Sequence, residues 1–406
     1  MNAAPQALAD IKVVEFGGYA AGSHAGKILA NFGATVVHLE SHGRPDGFRL
    51  EYPPFKDGVA GVNRGGCFAF FNDSKYGATL DLKKPEGLEL ARRLIDWADV
   101  VIENMRPGVM ARIGLSYEAI SKTNPGLIML STCNMGQTGP RAHTPGFGSQ
   151  LSSLAGFCGT IGEADGPPML LYGPYIDFIA SLMGCSAVLA ALDHKRSTGK
   201  GRWIDLSQYE CGLHFMAGAL FAYHRDGTIA ERNGNRDSVA APHGAYPCRD
   251  GRWLALSCWS DDEFAALADS LDCRTLADDS RFLRIESRRN NTQALDEALT
   301  ASLRKRDAET IAKTLQHAGV CAYPVNTVAD LFNDPQLLER RSWRRRKHPE
   351  IGEQAYLMPG FDLSTTPGDV THAAPCLGGD NDTVFKHFLG LSEEEFDAYA
   401  GKNALS

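Results

Sequence analysis

The sequence predicts an α/β protein built on an open, parallel β-sheet, and three observations lead there. Ile11-Lys12-Val13-Val14-Glu15-Phe16 reads as a strand that runs at once into the turn Gly17-Gly18-Tyr19-Ala20-Ala21-Gly22. Helical residues 23–32 and a second strand, Thr35-Val36-Val37-His38-Leu39-Glu40, complete a βα unit. The alternation then continues. Strand 78–82 is followed by a helix opened by Pro85-Glu86-Gly87, with apolar spacing at Leu88, Leu90, Ala91, Leu94, Ile95 and Ala98. Val100-Val101-Ile102-Glu103-Asn104 and Leu127-Ile128-Met129-Leu130-Ser131 are further strands. Finally, Phe178 to Leu192 carries no charge and has the composition of a buried helix; His194, Lys195 and Arg196 suit its C-terminal end. The sheet looks Rossmann-like, but the middle glycine of G-x-G-x-x-G falls on Tyr19, so a nicotinamide dehydrogenase is disfavoured.

A length of 406 residues suggests two or three domains. The middle of the chain reads as a second, α+β domain. A hairpin over 246–256 turns at Asp250-Gly251, helices follow at about 261–271, 293–304 and 308–318, and a strand spans 320–325. Ser41 to Gly66 is too long for a simple connection and reads as a binding loop. A net charge of −8 argues against a nucleic-acid or anionic-membrane surface. The basic run 340–347 is read as a solvated or subunit-contacting segment ahead of a phosphate site.

The ten cysteines are scattered without a C-x-x-C pair, and the twelve histidines show no ligand spacing, so neither disulfides nor a metal site is expected. Met1 to Ala9 lacks the pattern of a secretory leader, and the uncharged run is short for a membrane span. These readings fit the reducing cytoplasm, with no membrane partner.

Asp177 is the one carboxylate between an apolar extended segment ending at Gly173-Pro174 and the uncharged helix. It has two readings. It caps the helix, accepting backbone N–H bonds, or it is a nucleophile, since a carboxylate held where water is scarce needs no base to activate it.

Several segments in order resemble the class III (formyl-CoA/carnitine type, CaiB/BaiF) CoA-transferases. They are Val13-Val14-Glu15-Phe16 with its turn, Asn72-Asp73-Ser74-Lys75 through Pro85-Glu86-Gly87, and Ala98 to Gly108. Thr198-Gly199-Lys200-Gly201, Ala241 to Pro247 and Gly319 to Asn326 complete the set. The resemblance implies a Rossmann-like large domain (1–207), a linker (208–232), a small domain (233–329) and a C-terminal return (330–406) that completes the large domain. It also implies ring-shaped subunits interlocked in a dimer. The implied chemistry is ping-pong transfer of CoA from an acyl-CoA cosubstrate to a carboxylic acid, through an anhydride and a thioester on Asp177.

By the same resemblance, CoA would meet Tyr19, Ala20, Ala21, His42, Lys75, Asn104, Met105 and Arg112. Lys75 and Arg112 would pair with phosphates, and Asn104-Met105 would border the adenine. Asn233-Gly234 would be the glycine-bearing loop over the reacting centre. Phe147-Gly148 stands where the family has an aromatic–acidic pair, which implies a roomier, less polar acceptor pocket. Cys133 to Pro140 and Leu256 to Asp261 resemble the branch acting on succinyl-CoA and benzylsuccinate. The rivals are an α-methylacyl-CoA racemase, which needs a histidine that Gly146-Phe147-Gly148 lacks, and a CoA-binding subunit of a hetero-oligomeric transferase. The partner subunit is therefore a second copy or a paralogous chain.

Overall fold

A computed structural model describes residues 6–406; the first five residues of the segment read for a leader lie outside it. The described residues fall into two compact units. The first holds residues up to Cys158, Leu170–Ile229 and Gln336–Ser406; the second holds Gly159–Met169 and Ala230–Pro335.

The first unit carries six strands: β1 (Lys12–Phe16), β2 (Thr35–Glu40), β3 (Tyr76–Thr79), β4 (Val100–Glu103), β5 (Ile128–Cys133) and β6 (Arg202–Ser207). They pair in the order β3-β2-β1-β4-β5-β6, every pair parallel. Val13, Val14, Val36, Val37, Val100, Val101 and Ile128 are fully buried, so the central strands are β-branched because both sheet faces are covered. The order reverses between β1 and β4. The crevice beyond their C-terminal ends, where ligands bind in such sheets, therefore opens after Phe16 and after Glu103.

Four helices matter for the site: α1 (Ala21–Asn31), α2 (Pro85–Trp97), α3 (Gly148–Leu154) and α4 (Tyr175–Thr198). In α2, proline occupies the first turn and Leu90, Ala91, Leu94 and Ile95 face the core, as their spacing predicts. Helix α4 begins at Tyr175 behind Pro174 and stops at Gly199, which adopts the left-handed conformation. It lies on β5 and β6 at Gly184, where an added Cβ would stand 3.1 Å from Leu130 Cδ2. It is long and apolar enough to cross a membrane, but its buried face packs on α1 and the sheet.

The C-terminal return ends in this unit. It closes the edge of the sheet: Asp380 and Asn381 accept the Gly77 and Thr79 N–H groups at 2.8 and 2.9 Å. The basic run forms β10 (Trp343–His348), antiparallel to β11 (Gly352–Leu357). Arg344 and Arg346 pair with Asp369, and Arg345 pairs with Glu353. Those charges are largely answered within the chain.

In the second unit β7 (His243–Pro247), β8 (Trp253–Ser257) and β9 (Cys321–Pro324) form an antiparallel sheet. Helices Asp261–Ser270, Thr292–Leu303 and Ala308–His317 bury Phe264, Leu267, Leu295, Leu299 and Leu315 around it. The expected hairpin and all three helices are present.

Two expectations change. Residues 208–232 are not a linker: Gln208–Leu213 and Ala217–Asp226 are helical, and the first unit extends to Ile229. The excursion 41–66, read as a binding loop, is tied into the core along part of its length. Arg49 within it is buried and binds both Glu40 oxygens at 2.7–3.1 Å, and Phe48 packs into a core cluster with Phe68 and Phe71.

Candidate active site

The turn after β1 is held open by its neighbours. Tyr19 adopts a left-handed conformation (φ 62°), and its N–H lies 3.1 and 3.2 Å from the two Asp46 oxygens. Asn104, just past β4, accepts the Gly18 N–H at 3.1 Å and donates to the Gly18 carbonyl. A Cβ at Gly17 would sit 1.9 Å from the Asn104 side-chain oxygen, at a φ of +118°. Strand ends β1 and β4 are thereby tied together at the point where the strand order reverses.

Asp177 lies in the first turn of α4, behind Pro174, and not at the cap position. The capping reading is thus displaced by three residues. Its carboxylate has no hydrogen bond or ion pair among the described residues. Burial alone pushes its pKa up to about 7. Gly148, the first residue of α3, makes the space for it: a Cβ there would stand 2.5 Å from Asp177 Oδ2. The preceding Phe147 is exposed and meets the Tyr19 ring edge-on at 5.8 Å. Tyr19, Phe147, Gly148 and Asp177 are therefore brought together.

The other expected residues divide. Ala20 and Ala21 are buried at the start of α1 and could offer only backbone. Arg112 is exposed at the end of a short helix, without an ion pair among the described residues, and His42 is exposed on a turn. Met105 packs partly buried against the core, and the Asn104 amide is committed to Gly18.

Lys75 needs correcting as a phosphate ligand. It is fully buried, and its ammonium reaches both Glu15 oxygens (3.0 and 2.8 Å), the Ser23 carbonyl (2.7 Å) and Asn72 Oδ1 (3.0 Å). An ammonium has three donors, so none remains for a phosphate. Its role is to hold Glu15 under α1. Lys75→Met is accordingly expected to destabilise the fold by about 3–5 kcal/mol, because the Glu15 carboxylate loses its cation inside the protein; urea unfolding measures this.

Gly234 needs a correction too. It belongs to the second unit with Asn233, and its N–H is already given to the Gly162 carbonyl at 2.9 Å. It has no donor left for an oxyanion. Asn233 is exposed on the same turn.

The structure adds groups that the sequence did not single out. Glu103, at the end of β4, is buried and pushed up to about 7 by that burial, although Ser131 and the Met105 N–H oppose the shift. His24, one turn into α1, bonds Ser181 of α4 through Nδ1 at 2.8 Å and packs edge-on against Phe178. Neither residue stands in a recognisable local motif. The racemase reading gains nothing, since His143 is exposed and Gly146–Gly148 holds no base. No group of three or more His, Cys, Asp or Glu among the described residues could hold a metal.

Comparison with known proteins shows the family and the fold. The sequence pattern of CoA-transferase family III matches residues 8–381. The succinyl-CoA–D-citramalate CoA-transferase of Chloroflexus aurantiacus is 32% identical over 99% of this chain and 98% of its own. The alpha subunit of the succinyl-CoA–L-malate CoA-transferase of Chloroflexus aurantiacus is 33% identical over 96% of this chain and 90% of its own. The crystal structure of a CAIB/BAIF family protein from Brucella suis superposes with a TM-score of 0.87 at 30% identity. It covers 95% of this chain and all of that one. With a matching α/β fold and similarity along nearly its whole length, this chain belongs to the family III CoA-transferases, enzymes that use CoA thioesters as cosubstrates.

Proposed function

We propose that this protein moves CoA from succinyl-CoA to a small dicarboxylic acid through covalent intermediates on Asp177. The observation that carries the reading is the Asp177 carboxylate, desolvated, unpaired and fitted against Gly148. The relatives' names supply the donor and the acceptor class.

In this scheme an Asp177 oxygen attacks the thioester carbonyl carbon. The C–S bond breaks and CoA thiolate leaves, giving a mixed anhydride. The thiolate then attacks the aspartyl carbonyl, expelling succinate and leaving an aspartyl-CoA thioester. The acceptor carboxylate displaces the thiolate in turn. The thiolate finally attacks the acceptor acyl carbon and frees Asp177. Every step is an acyl transfer whose intermediate water would destroy, so a dry site protects it. Placing CoA at the end of β1 and β4 is supported by the strand-order reversal there and by the free Arg112 guanidinium, suited to a phosphate.

A second acceptor, an aryl-substituted succinate such as benzylsuccinate, is favoured by the exposed Phe147 ring beside Tyr19. Incubation of succinyl-CoA with citramalate, malate, glutarate and benzylsuccinate, read as new CoA thioesters, tests both readings. No transfer to any of the four acids would remove the proposal.

We also place the enzyme in the cytoplasm, as an interlocked dimer with a second copy or a paralogous chain. In support, all ten cysteines are unpaired, and Leu182, Leu189, Leu220, Phe221 and Tyr223 leave an apolar surface exposed on the first unit. Sedimentation of the purified chain would show a monomer if this is wrong.

The pH profile follows from Asp177. The nucleophile is the carboxylate, and burial holds its pKa near 7. The active form is lost as pH falls, so kcat/KM is expected to drop about tenfold per unit below that value and level off above it. A profile flat down to pH 5 would contradict the assignment.

A further inference from the structure

His24 is not used by the transfer scheme, yet it bonds Ser181 and packs on Phe178, both in the helix that carries Asp177. Ser181 lies four residues after Asp177 on the same face of α4, so their Cβ atoms are roughly 6 Å apart. Ser181 Oγ donates to the Phe178 carbonyl at 2.9 Å. It therefore receives the His24 Nδ1–H at 2.8 Å, which leaves Nε2 bare. His24 is half-buried between the Phe71 and Phe178 rings. Its Nε2 has no hydrogen-bond partner among the described residues, and it is not one of the sealed polar atoms left without one. Burial, helped by the charges of Lys27 and Lys75, pushes the imidazole pKa down to about 3, so the ring stays neutral at every working pH.

A neutral imidazole with a fixed tautomer and an open Nε2 can only accept a hydrogen bond at that atom. A carboxylate or a thioester oxygen has no proton to give it. A hydroxyl does. We propose that His24 Nε2 accepts a hydrogen bond from a hydroxyl on the acceptor acid, and so selects hydroxylated over plain dicarboxylic acids. This rests on the transfer reading above.

Citramalate and methylsuccinate differ only by one hydroxyl and so form the test pair, with succinyl-CoA as donor. The parent enzyme is expected to favour citramalate by at least about tenfold in kcat/KM, and His24→Phe to lose about 10–100-fold on citramalate. Less than about threefold should be lost on methylsuccinate, because the phenyl ring keeps the packing against Phe71 and Phe178. His24→Gln, which restores an acceptor oxygen, should recover part of the citramalate activity and serves if the phenylalanine protein does not fold.

Equal losses on both acids would show a packing role and overturn the proposal. So would no loss on citramalate, or a parent enzyme that favours methylsuccinate. Slower formation of the enzyme–CoA thioester in the absence of any acceptor would assign His24 to the donor, overturning it as well. Transfer by the parent enzyme to neither acid would overturn it too; transfer to malate, glutarate or benzylsuccinate would then leave the transfer reading standing, and transfer to none of them would remove both.

Discussion

Asp177→Asn is expected to lower CoA transfer by about four orders of magnitude or more, because it removes the only group proposed to carry the acyl and thiol in turn. Two readouts separate a lost nucleophile from a damaged fold. Hydroxylamine added with succinyl-CoA should trap the parent enzyme as a hydroxamate at position 177 and leave the asparagine variant unmodified. Stability should move the other way. A carboxyl whose pKa rises from 3.8 to about 7 on folding binds more protons folded than unfolded, so the native protein loses stability as pH climbs between those values. The upper limit is about 4 kcal/mol; without substrate to cover it the residue is only partly buried, which reduces this to about 1–2 kcal/mol. Asparagine carries no such cost. The variant should therefore be the more stable protein at pH 8 and equal to the parent near pH 4. Unchanged turnover with no trapped adduct in the parent would end the proposal that Asp177 is covalently modified.

How much of this was legible beforehand depended on the kind of interaction. The large sheet announced itself because runs such as Val100-Val101-Ile102 and Val13-Val14 leave no alternative to burial on both faces. The spacing in α2 gave its core face directly. The start of α4 was misplaced by three residues, because Pro174 takes the position before the first turn while Asp177 looked like the better cap.

Lys75 was misassigned for a deeper reason. A lysine in Asn72-Asp73-Ser74-Lys75 looks solvated in sequence, and only the meeting of β1, α1 and that segment surrounds it with Glu15, Ser23 and Asn72. His24 was invisible for the same reason, since its partner Ser181 lies 157 residues away. The assignment of Gly159–Met169 to the second unit likewise depends on tertiary bonds such as Gly234 N–H to Gly162 O, which no local pattern encodes. Asp177 stands out in the sequence as a single charge at the head of an uncharged helix, but that pattern alone fits a cap as well as a nucleophile; the resemblance favours the nucleophile.

The second large effect is expected at Gly148, where the family to which the chain belongs was read as having an acidic residue. Gly148→Ala places a methyl 2.5 Å from Asp177 Oδ2 and 3.1 Å from Pro174 Cα. The Pro174 side is backbone at the head of α4 and cannot yield cheaply, so the carboxylate must turn away. A nucleophile displaced by about an ångström loses roughly 10²-fold in rate, and that loss should fall on kcat while KM for succinyl-CoA stays near the parent value. Phe147→Ala is the matched control for the donor half-reaction: its side chain is exposed and meets the Tyr19 ring, so enzyme–CoA thioester formation from succinyl-CoA should change less than about threefold. Single-turnover formation of the enzyme–CoA thioester distinguishes the two, being slowed only by the alanine at the glycine position. If that substitution instead leaves the first half-reaction at the parent rate, the carboxylate does not need the space Gly148 leaves, and the fit between α3 and α4 is packing without consequence for the chemistry.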